Sequence, residues 1–253
     1  MSKIAFVFSG QGAQAPGMGK ELYDCSPAAK AVFDLADSIR PGTSQQCFEG
    51  TQEELNVTIN TQPCLFACDL AAAKAAQERG IQPDCAAGFS LGEAAAVAFS
   101  GMLTEAEAFS MVCKRAELMN EAAQKNPGAM AAVMKLSPQQ VETLCGPIEN
   151  AWPVNYNSPK QSGGGGFGRY HRPGGGGGLS PAGQGGQAGG QRRVPLSADA
   201  FRRRRPERIP GSVSLREERL PVYANLTAEP YGEDKKETMA AQCENPVRWQ
   251  KSY

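Results

Sequence analysis

The chain has 253 residues, with Lys+Arg and Asp+Glu both at 26 and an apolar content of 41%. That length supports one large α/β domain or two smaller ones with an ample core. The balanced charge leaves no global field to gather nucleic acid or a membrane surface, and no apolar run approaches the roughly 20 residues that span a bilayer. Met1 to Phe8 lacks the long apolar segment and small-residue cleavage site of a signal peptide. Eight cysteines, at 25, 47, 64, 68, 85, 113, 145 and 243, include no Cys-x-x-Cys. Several fall in apolar patterns, where a free thiol packs as a small hydrophobe. Reduced thiols in a cytoplasmic protein are therefore expected, with no metal site and no cofactor.

In chain order, Ile4 to Phe8 is a β-branched and aromatic run closed by Ser9-Gly10-Gln11-Gly12, which predicts a buried first strand and a tight loop. A helix follows from about Lys20, and another over Pro27 to Ser38 is stopped by Pro41-Gly42. Thr61-Gln62-Pro63 is read as the start of the next helix, with Thr61 as cap, Pro63 in the first turn and Gly80 closing the far end. A short apolar run, Cys85 to Phe89, then leads into Gly88-Phe89-Ser90-Leu91-Gly92 and an Ala-rich helix that breaks at Gly101. Thr104 caps a long helix with Ala108, Met111, Val112, Arg115 and Met119 along one side. Met130 to Leu136, a short helix from Ser137-Pro138 to about Cys145, and Trp152 to Tyr156 form a strand–helix–strand unit. Such alternation implies a largely parallel sheet covered on both faces, followed by a smaller lobe.

The pattern around Ser90 has the layout of a nucleophile elbow, in which a sharp strand-to-helix turn presents a serine Oγ. Glycines on either side avoid collision with the neighbouring strand and helix. The helix that follows aims its N–H groups and dipole at the serine, which favours an oxyanion there. A five-residue pattern alone is also compatible with an ordinary Gly-containing turn.

Several separated segments together resemble bacterial malonyl-CoA:acyl-carrier-protein transacylases. They are Phe8 to Gln14, Thr61-Gln62-Pro63, Gly88 to Glu93, Lys114-Arg115-Ala116, Gly128 to Val133, Asn155 to Pro159, Leu220 to Asn225 and Asn245 to Trp249, all in the family's order. The resemblance covers residues 3 to 161 and 220 to 253. It implies an α/β fold with a hydrolase-like parallel-sheet core in residues 1–125 and a smaller ferredoxin-like subdomain in residues 126–219. The last segment, 220–253, returns to the large lobe. The match stops soon after Trp249 where family members continue into further helices, so the chain reads as C-terminally truncated.

The activity implied is transfer of malonyl from coenzyme A to the phosphopantetheine thiol of acyl carrier protein, in fatty-acid synthesis. By resemblance Ser90 is the nucleophile, Gln11 and the Leu91 N–H form the oxyanion hole, and Arg115 holds the malonyl carboxylate with its two-donor fork. Gln242 matches a glutamine beside the active site, although by itself it reads as a surface residue. Phe89 stands where many relatives carry a histidine that is not the base. The implied partners are malonyl-CoA and acyl carrier protein, acting on a monomer, with no nucleic acid and no membrane.

The base itself is the departure. The family uses a histidine in a Gly-Ala-Phe-His-Ser-Pro segment, and this chain's single histidine, His171, sits in Arg169-Tyr170-His171-Arg172-Pro173. From Ser162 to about Arg219 nothing matches; residues 163 to 190 are roughly half glycine, and arginines fill 202 to 205. One reading is a Gly-rich linker, disordered across 162–219, with a basic patch. Another is a reading-frame error. Gln191 to Ala200 can be encoded CAG CGG CGC GTT CCA CTC TCC GCT GAT GCG, and one base later this reads Ser-Gly-Ala-Phe-His-Ser-Pro-Leu-Met. Ser162 to Gly166, shifted equally, can give Ala-Val-Val-Ala, a strand. The frame is then lost near 162 and restored near 219. The competing functions are a serine hydrolase, a polyketide acyltransferase module, a carrier-protein-binding module without turnover, and nucleic-acid binding through Arg202 to Arg205.

Overall fold

A computed structural model describes residues 3–125, 128–134, 136–148, 151–158, 161–167, 214–243 and 245–252. His171, Arg202 to Arg205 and the segment 191–200 lie outside the described residues.

Three short strands make the first sheet. β1 (Ala5–Phe8) pairs parallel with β2 (Cys85–Gly88), and β2 pairs parallel with β6 (Val222–Tyr223), in the order β1-β2-β6. The parallel core expected from the alternating pattern is present. The buried first strand is not: Phe6 and Phe8 on one face meet Phe99 at ring distances of 5.4 and 5.7 Å, while Val7 on the other face is 63% exposed. Phe6 and Phe8 therefore make the covered face, the Val7 face is left open, and among the described residues β1 is an edge strand with one strand neighbour.

The helices spanning Thr58–Glu78 and Leu91–Ser100 pack on this sheet, and the earlier helices pack chiefly on the first of these two. After α1 (Lys20–Cys25), Ser26 caps α2 (Pro27–Ile39) by accepting from the Ala29 N–H at 3.1 Å. Between Pro41 and Thr61, where the sequence reading placed no element, lie α3 (Thr43–Glu49) and α4 (Gln52–Leu55). A Thr51/Glu54 capping box starts α4, a signal that was available in the sequence. Helix α5 (Thr58–Glu78) begins three residues before Thr61, so Pro63 lies inside it rather than in the opening turn. Thr61 is not the cap either. Its hydroxyl donates to the carbonyls of Leu55 and Val57, at 2.5 and 3.0 Å. Tertiary burial overrides the proline rule here, because Thr58, Thr61, Gln62, Pro63 and Cys64 are all buried against the core.

Every residue of α6 (Leu91–Ser100) is buried, which its run of alanines permits: small side chains let it run close to α5, α7, β1 and β2. Gly101 ends it with φ 88°. Thr104 caps α7 (Glu105–Lys125), its hydroxyl accepting from the Glu107 N–H at 3.2 Å while Glu107 Oε2 accepts from the Thr104 N–H at 2.8 Å.

A second sheet follows, with β3 (Gly128–Met134), α8 (Pro138–Cys145), β4 (Ala151–Ser158) and β5 (Gln161–Phe167), ordered β3-β5-β4 and antiparallel. Since β5 runs against both neighbours, β3 and β4 are parallel with α8 as their crossover and β5 between them. This split βαβ is the first half of a ferredoxin-like unit. Its middle strand contains Gly163 to Gly166, each paired with β3. The expectation of disorder across 162–219 is thus overturned at its start. It is overturned at its end as well. The N–H groups of Arg216 and Arg219 donate to the carbonyls of Met102 and Ser100 at 2.9 and 2.8 Å, and Leu215 packs on the core. Backbone ladders hold the first stretch, and ties to the end of α6 and the turn after it hold the second, so residues 215 to 219 sit against the core of the first lobe.

Two short segments join the lobes. Val247 pairs with β4, accepting from the Tyr156 N–H at 2.8 Å and donating to Val154 O at 3.0 Å. The next residue, Arg248, donates its N–H to Asn225 O at 3.1 Å. Helix α9 (Lys235–Gln242) lies between them in sequence.

Candidate active site

β2 ends at Gly88 and α6 begins at Leu91, leaving two residues for a reversal. Ser90 makes it by adopting φ 54°, ψ −101°, a region that costs a non-glycine residue of order 1–3 kcal/mol and is held only when its surroundings impose it. The flanking glycines are obligatory for steric reasons. A Cβ on Gly88 would lie 2.0 Å from the Gly92 carbonyl, and one on Gly92 would lie 2.4 Å from Phe8 O. Gly10 is bound by the same contact: its Cβ would stand 2.6 Å from Phe89 O. The Gly10–Gln11 loop therefore lies directly against the residue preceding Ser90.

Leu91 is the first residue of α6, so its N–H has no partner within the helix and points from the positive end of the dipole. The Gln11 side chain is turned away, Nε2 donating to Thr58 Oγ1 at 3.3 Å. From α7, Arg115 extends its guanidinium to the serine: Nη2 lies 3.5 Å from Ser90 Oγ, and Nη1 donates to Gln62 Oε1 at 2.6 Å. Gln62 is fully buried, with Nε2 3.1 Å from Met119 Sδ, so it fixes the guanidinium plane. Gln242, at the end of α9, is part-buried and donates from Nε2 to Ser90 O at 2.7 Å. The end of α9 therefore reaches the elbow, and Gln242 stands beside Ser90, where the resemblance expects it, rather than on the surface.

The structure thus brings Ser90, Leu91, Arg115 and Gln242 together and seats Gln11 in the adjoining loop. His171 is outside the described residues. Gln62, Glu93, Asn225 and Tyr231 are residues to which the sequence reading gave no role. Gln62, Glu93 and Asn225 all stood inside quoted motifs, and a polar residue in an otherwise apolar run was the available signal.

Two carboxyls beneath the site are unusual. Glu93 is buried, its Oε1 accepting from Tyr231 OH at 2.6 Å and from the Asn225 N–H at 3.3 Å, and burial pushes it up to about 7. Asp69 on α5 accepts from Ser9 Oγ at 2.8 Å, and burial likewise pushes it up to about 7. Each has one carboxylate oxygen shut away from solvent without a hydrogen-bond partner among the described residues.

A strained serine at a helix N-terminus, with an arginine fork beside it, is equipped for acyl chemistry on an anionic substrate. A family model described as an acyl transferase domain matches residues 5–163. The chain belongs to that family. Ser90, Leu91, Gln11 and Arg115 all fall inside the matched region, which stops at the first residue of the Gly163–Gly166 run.

Among curated relatives, the malonyl CoA-acyl carrier protein transacylase of Bacillus subtilis (strain 168) is 46% identical over 145 residues, covering 57% of this chain and 46% of the relative. The protein of the same name from Escherichia coli (strain K12) is 35% identical over 169 residues, covering 64% of this chain and 54% of its own. This chain spans about half the length of the curated relatives it matches. In shape, the crystal structure of the Streptococcus pneumoniae enzyme MCAT superposes with a TM-score of 0.80 at 29% identity, covering 99% of this chain and 84% of that one. The hydrolase-like parallel core and the antiparallel second sheet are the fold of these acyltransferases.

Proposed function

We propose that this acyltransferase moves a malonyl group from coenzyme A to the phosphopantetheine thiol of acyl carrier protein, in cytoplasmic fatty-acid biosynthesis, through an ester on Ser90. The observation that carries this reading is the Arg115 guanidinium 3.5 Å from Ser90 Oγ. A thioester whose acyl group ends in a carboxylate would place that carboxylate on Arg115 and its carbonyl carbon over the serine. Charge-assisted, two-point pairing of this kind positions as well as binds.

In the first half-reaction Ser90 Oγ attacks the thioester carbonyl, its proton passes to a base, and the oxyanion forms against the N–H groups of Leu91 and Gln11. Collapse breaks the C–S bond; coenzyme A leaves as a thiol after taking up the proton, and malonyl remains as an ester. The second half-reaction runs the same sequence backwards with the carrier's thiol as nucleophile. Relatives that bear the name malonyl CoA-acyl carrier protein transacylase support both the donor and the acceptor. Labelled malonyl-CoA should esterify Ser90, and Ser90→Ala should abolish the label. A wild-type chain that takes label elsewhere ends the reading.

A second reading, binding of carrier protein without turnover, is favoured by one specific observation. The only histidine, His171, lies in a sequence unlike the family's base segment. Under that reading acyl carrier protein binds, but malonyl exchange falls by orders of magnitude. Comparing carrier-protein affinity with malonyl-ester formation on the same preparation separates the two.

A further inference from the structure

The strain at Ser90 has to be imposed by something, and the nucleophile's own peptide shows what. The Ser90 N–H donates to Asn225 Oδ1 at 2.6 Å, and Asn225 Nδ2 donates to Gly88 O at 2.6 Å. A single side chain thus grips the backbone on both sides of the turn. Asn225 is 1% exposed, so no solvent is available to replace either bond.

The geometry points to Asn225 as a positioning residue: its carboxamide is a two-pronged bracket that holds the Ser90 peptide in its strained conformation and so aims the hydroxyl. This rests on the reading of Ser90 as the nucleophile. Asn225 arrives at the elbow because β6 pairs in parallel with β2 through Val222 and Tyr223 and runs on past its carboxyl end, where sites on such sheets form. The bracket is itself anchored. Its N–H donates to Glu93 Oε1, which also accepts from Tyr231 OH at 2.6 Å, and its carbonyl accepts from the Arg248 N–H at 3.1 Å.

The chemistry demands an amide. One prong must accept and the other must donate, both at the same height. Aspartate offers two acceptors and sets a carboxylate oxygen against Gly88 O; alanine takes away the partner of the part-buried Ser90 N–H and of the buried Gly88 carbonyl. A protonated aspartate, by contrast, has the donor–acceptor pair of asparagine in nearly the same shape. The bracket also assigns the oxyanion donors: with the Ser90 N–H committed to Asn225, the negative oxygen is left to Leu91 and the Gln11 loop.

The test compares wild type, Asn225→Ala and Asn225→Asp by two readouts. One is amide hydrogen exchange at Ser90 by NMR, and the other is the rate of malonyl-ester formation on Ser90 by intact mass. Asn225→Ala should exchange the Ser90 amide at least tenfold faster relative to amides in the middle of α6. It should also acylate roughly 10- to 100-fold more slowly, with the half-saturating malonyl-CoA concentration unchanged.

Asn225→Asp should be impaired at pH 8 and recover both amide protection and rate as the pH is lowered towards 5.5, while Asn225→Ala does not recover. The ionisable groups around this position are Glu93 from α6, which accepts from the Asn225 N–H, Tyr231 from the segment after β6, which donates to Glu93, and Arg248, whose N–H donates to Asn225 O; Arg115 from α7 acts on Glu93, and Cys243 acts on Tyr231. Because Glu93 is common to all three proteins, the aspartate-specific difference reports the bracket. Unchanged Ser90 protection in both variants, or a pH profile of Asn225→Asp parallel to that of Asn225→Ala, overturns the inference. Should wild type form no ester at all, the proposed function fails, and the bracket is judged on amide protection and its pH recovery alone. Should Asn225→Ala not fold, Asn225→Asp at low and high pH decides.

Discussion

Glycine does opposite work in the two sheets of this protein. At the elbow, Gly10, Gly88 and Gly92 stand where an added Cβ would lie within 2.6 Å of a backbone atom. Close approach of β1, β2 and α6 requires each of them, and that approach is what presents Ser90. In β5, Gly163 to Gly166 form the middle of an antiparallel sheet, where glycine supplies ladder hydrogen bonds and nothing else. A middle strand ordinarily contributes side chains to both faces. The same residue marks a functional constraint in one place and a missing contribution in the other, and only the neighbours tell which.

The comparison breaks most readily at Gly92. Gly92→Ala drives a methyl to 2.4 Å from Phe8 O and 2.5 Å from Ser9 O, both backbone atoms that cannot move without shifting β1. We expect a loss of more than about 3 kcal/mol in chemical denaturation, at the upper end of overpacking costs. A well-folded Gly92→Ala with unchanged midpoint would show that the elbow glycines are not forced. Next in size is Arg115→Ala, which on the proposed function removes the partner of the malonyl carboxylate but leaves the elbow in place. Malonyl-ester formation should fall roughly 100-fold while acetyl transfer is spared, so the malonyl-to-acetyl preference collapses. Steady-state labelling with the two thioesters measures it.

How much of this could be read in advance divides along the same line. Gly88-x-Ser90-x-Gly92 was legible because steric necessity leaves a short, fixed spacing, and the parallel core followed from alternating strand and helix patterns. Arg115 was placed by resemblance, and the structure puts its Nη2 3.5 Å from Ser90 Oγ. The start of α5 was misread because Pro63 was given its usual place in a first turn, whereas burial of Thr58 and of Thr61 to Cys64 carries the helix back past it. Val7 looked like a core residue because an apolar run does not say whether both faces of its strand are covered, and here only the Phe6 and Phe8 face is. Asn225 was illegible as a bracket: it lies 135 residues from Ser90, and no local pattern encodes that meeting.

The buried carboxyls give a smaller effect, on the elbow side. Asp69 titrates near 3.8 when unfolded and is pushed up to about 7 by burial in the fold. The folded state therefore binds the proton more tightly. The penalty is absent below about pH 4, grows as the pH rises through the interval to about 7, and is fully present above it. Asp69→Asn keeps an acceptor for Ser9 Oγ and removes the charge. It should match wild type near pH 4 and be more stable by about 1–3 kcal/mol at pH 8. Denaturation midpoints across that range check the sign: a variant less stable than wild type at pH 8 would mean the carboxylate is compensated by a partner.

The smallest effect is the most informative about β5. Gly165 pairs with Met130 on one side and Trp152 on the other. Gly165→Val adds a β-branched side chain to a middle strand, beside an aromatic residue in β4. Glycine's excess unfolded-state entropy is removed at the same time, so a gain of about 0.5–1 kcal/mol is expected, against the loss at Gly92. A destabilised Gly165→Val would mean that these glycines, too, are held by close approach, and the two sheets would then follow one rule. The codons sharpen the point further. If the DNA at 162–166, read one base later, encodes apolar residues, a middle strand of ordinary composition underlies this one, and the contrast between the sheets belongs to the reading frame. If it does not, four consecutive glycines are the strand's own sequence, and their cost is borne by the backbone ladder between β3 and β4.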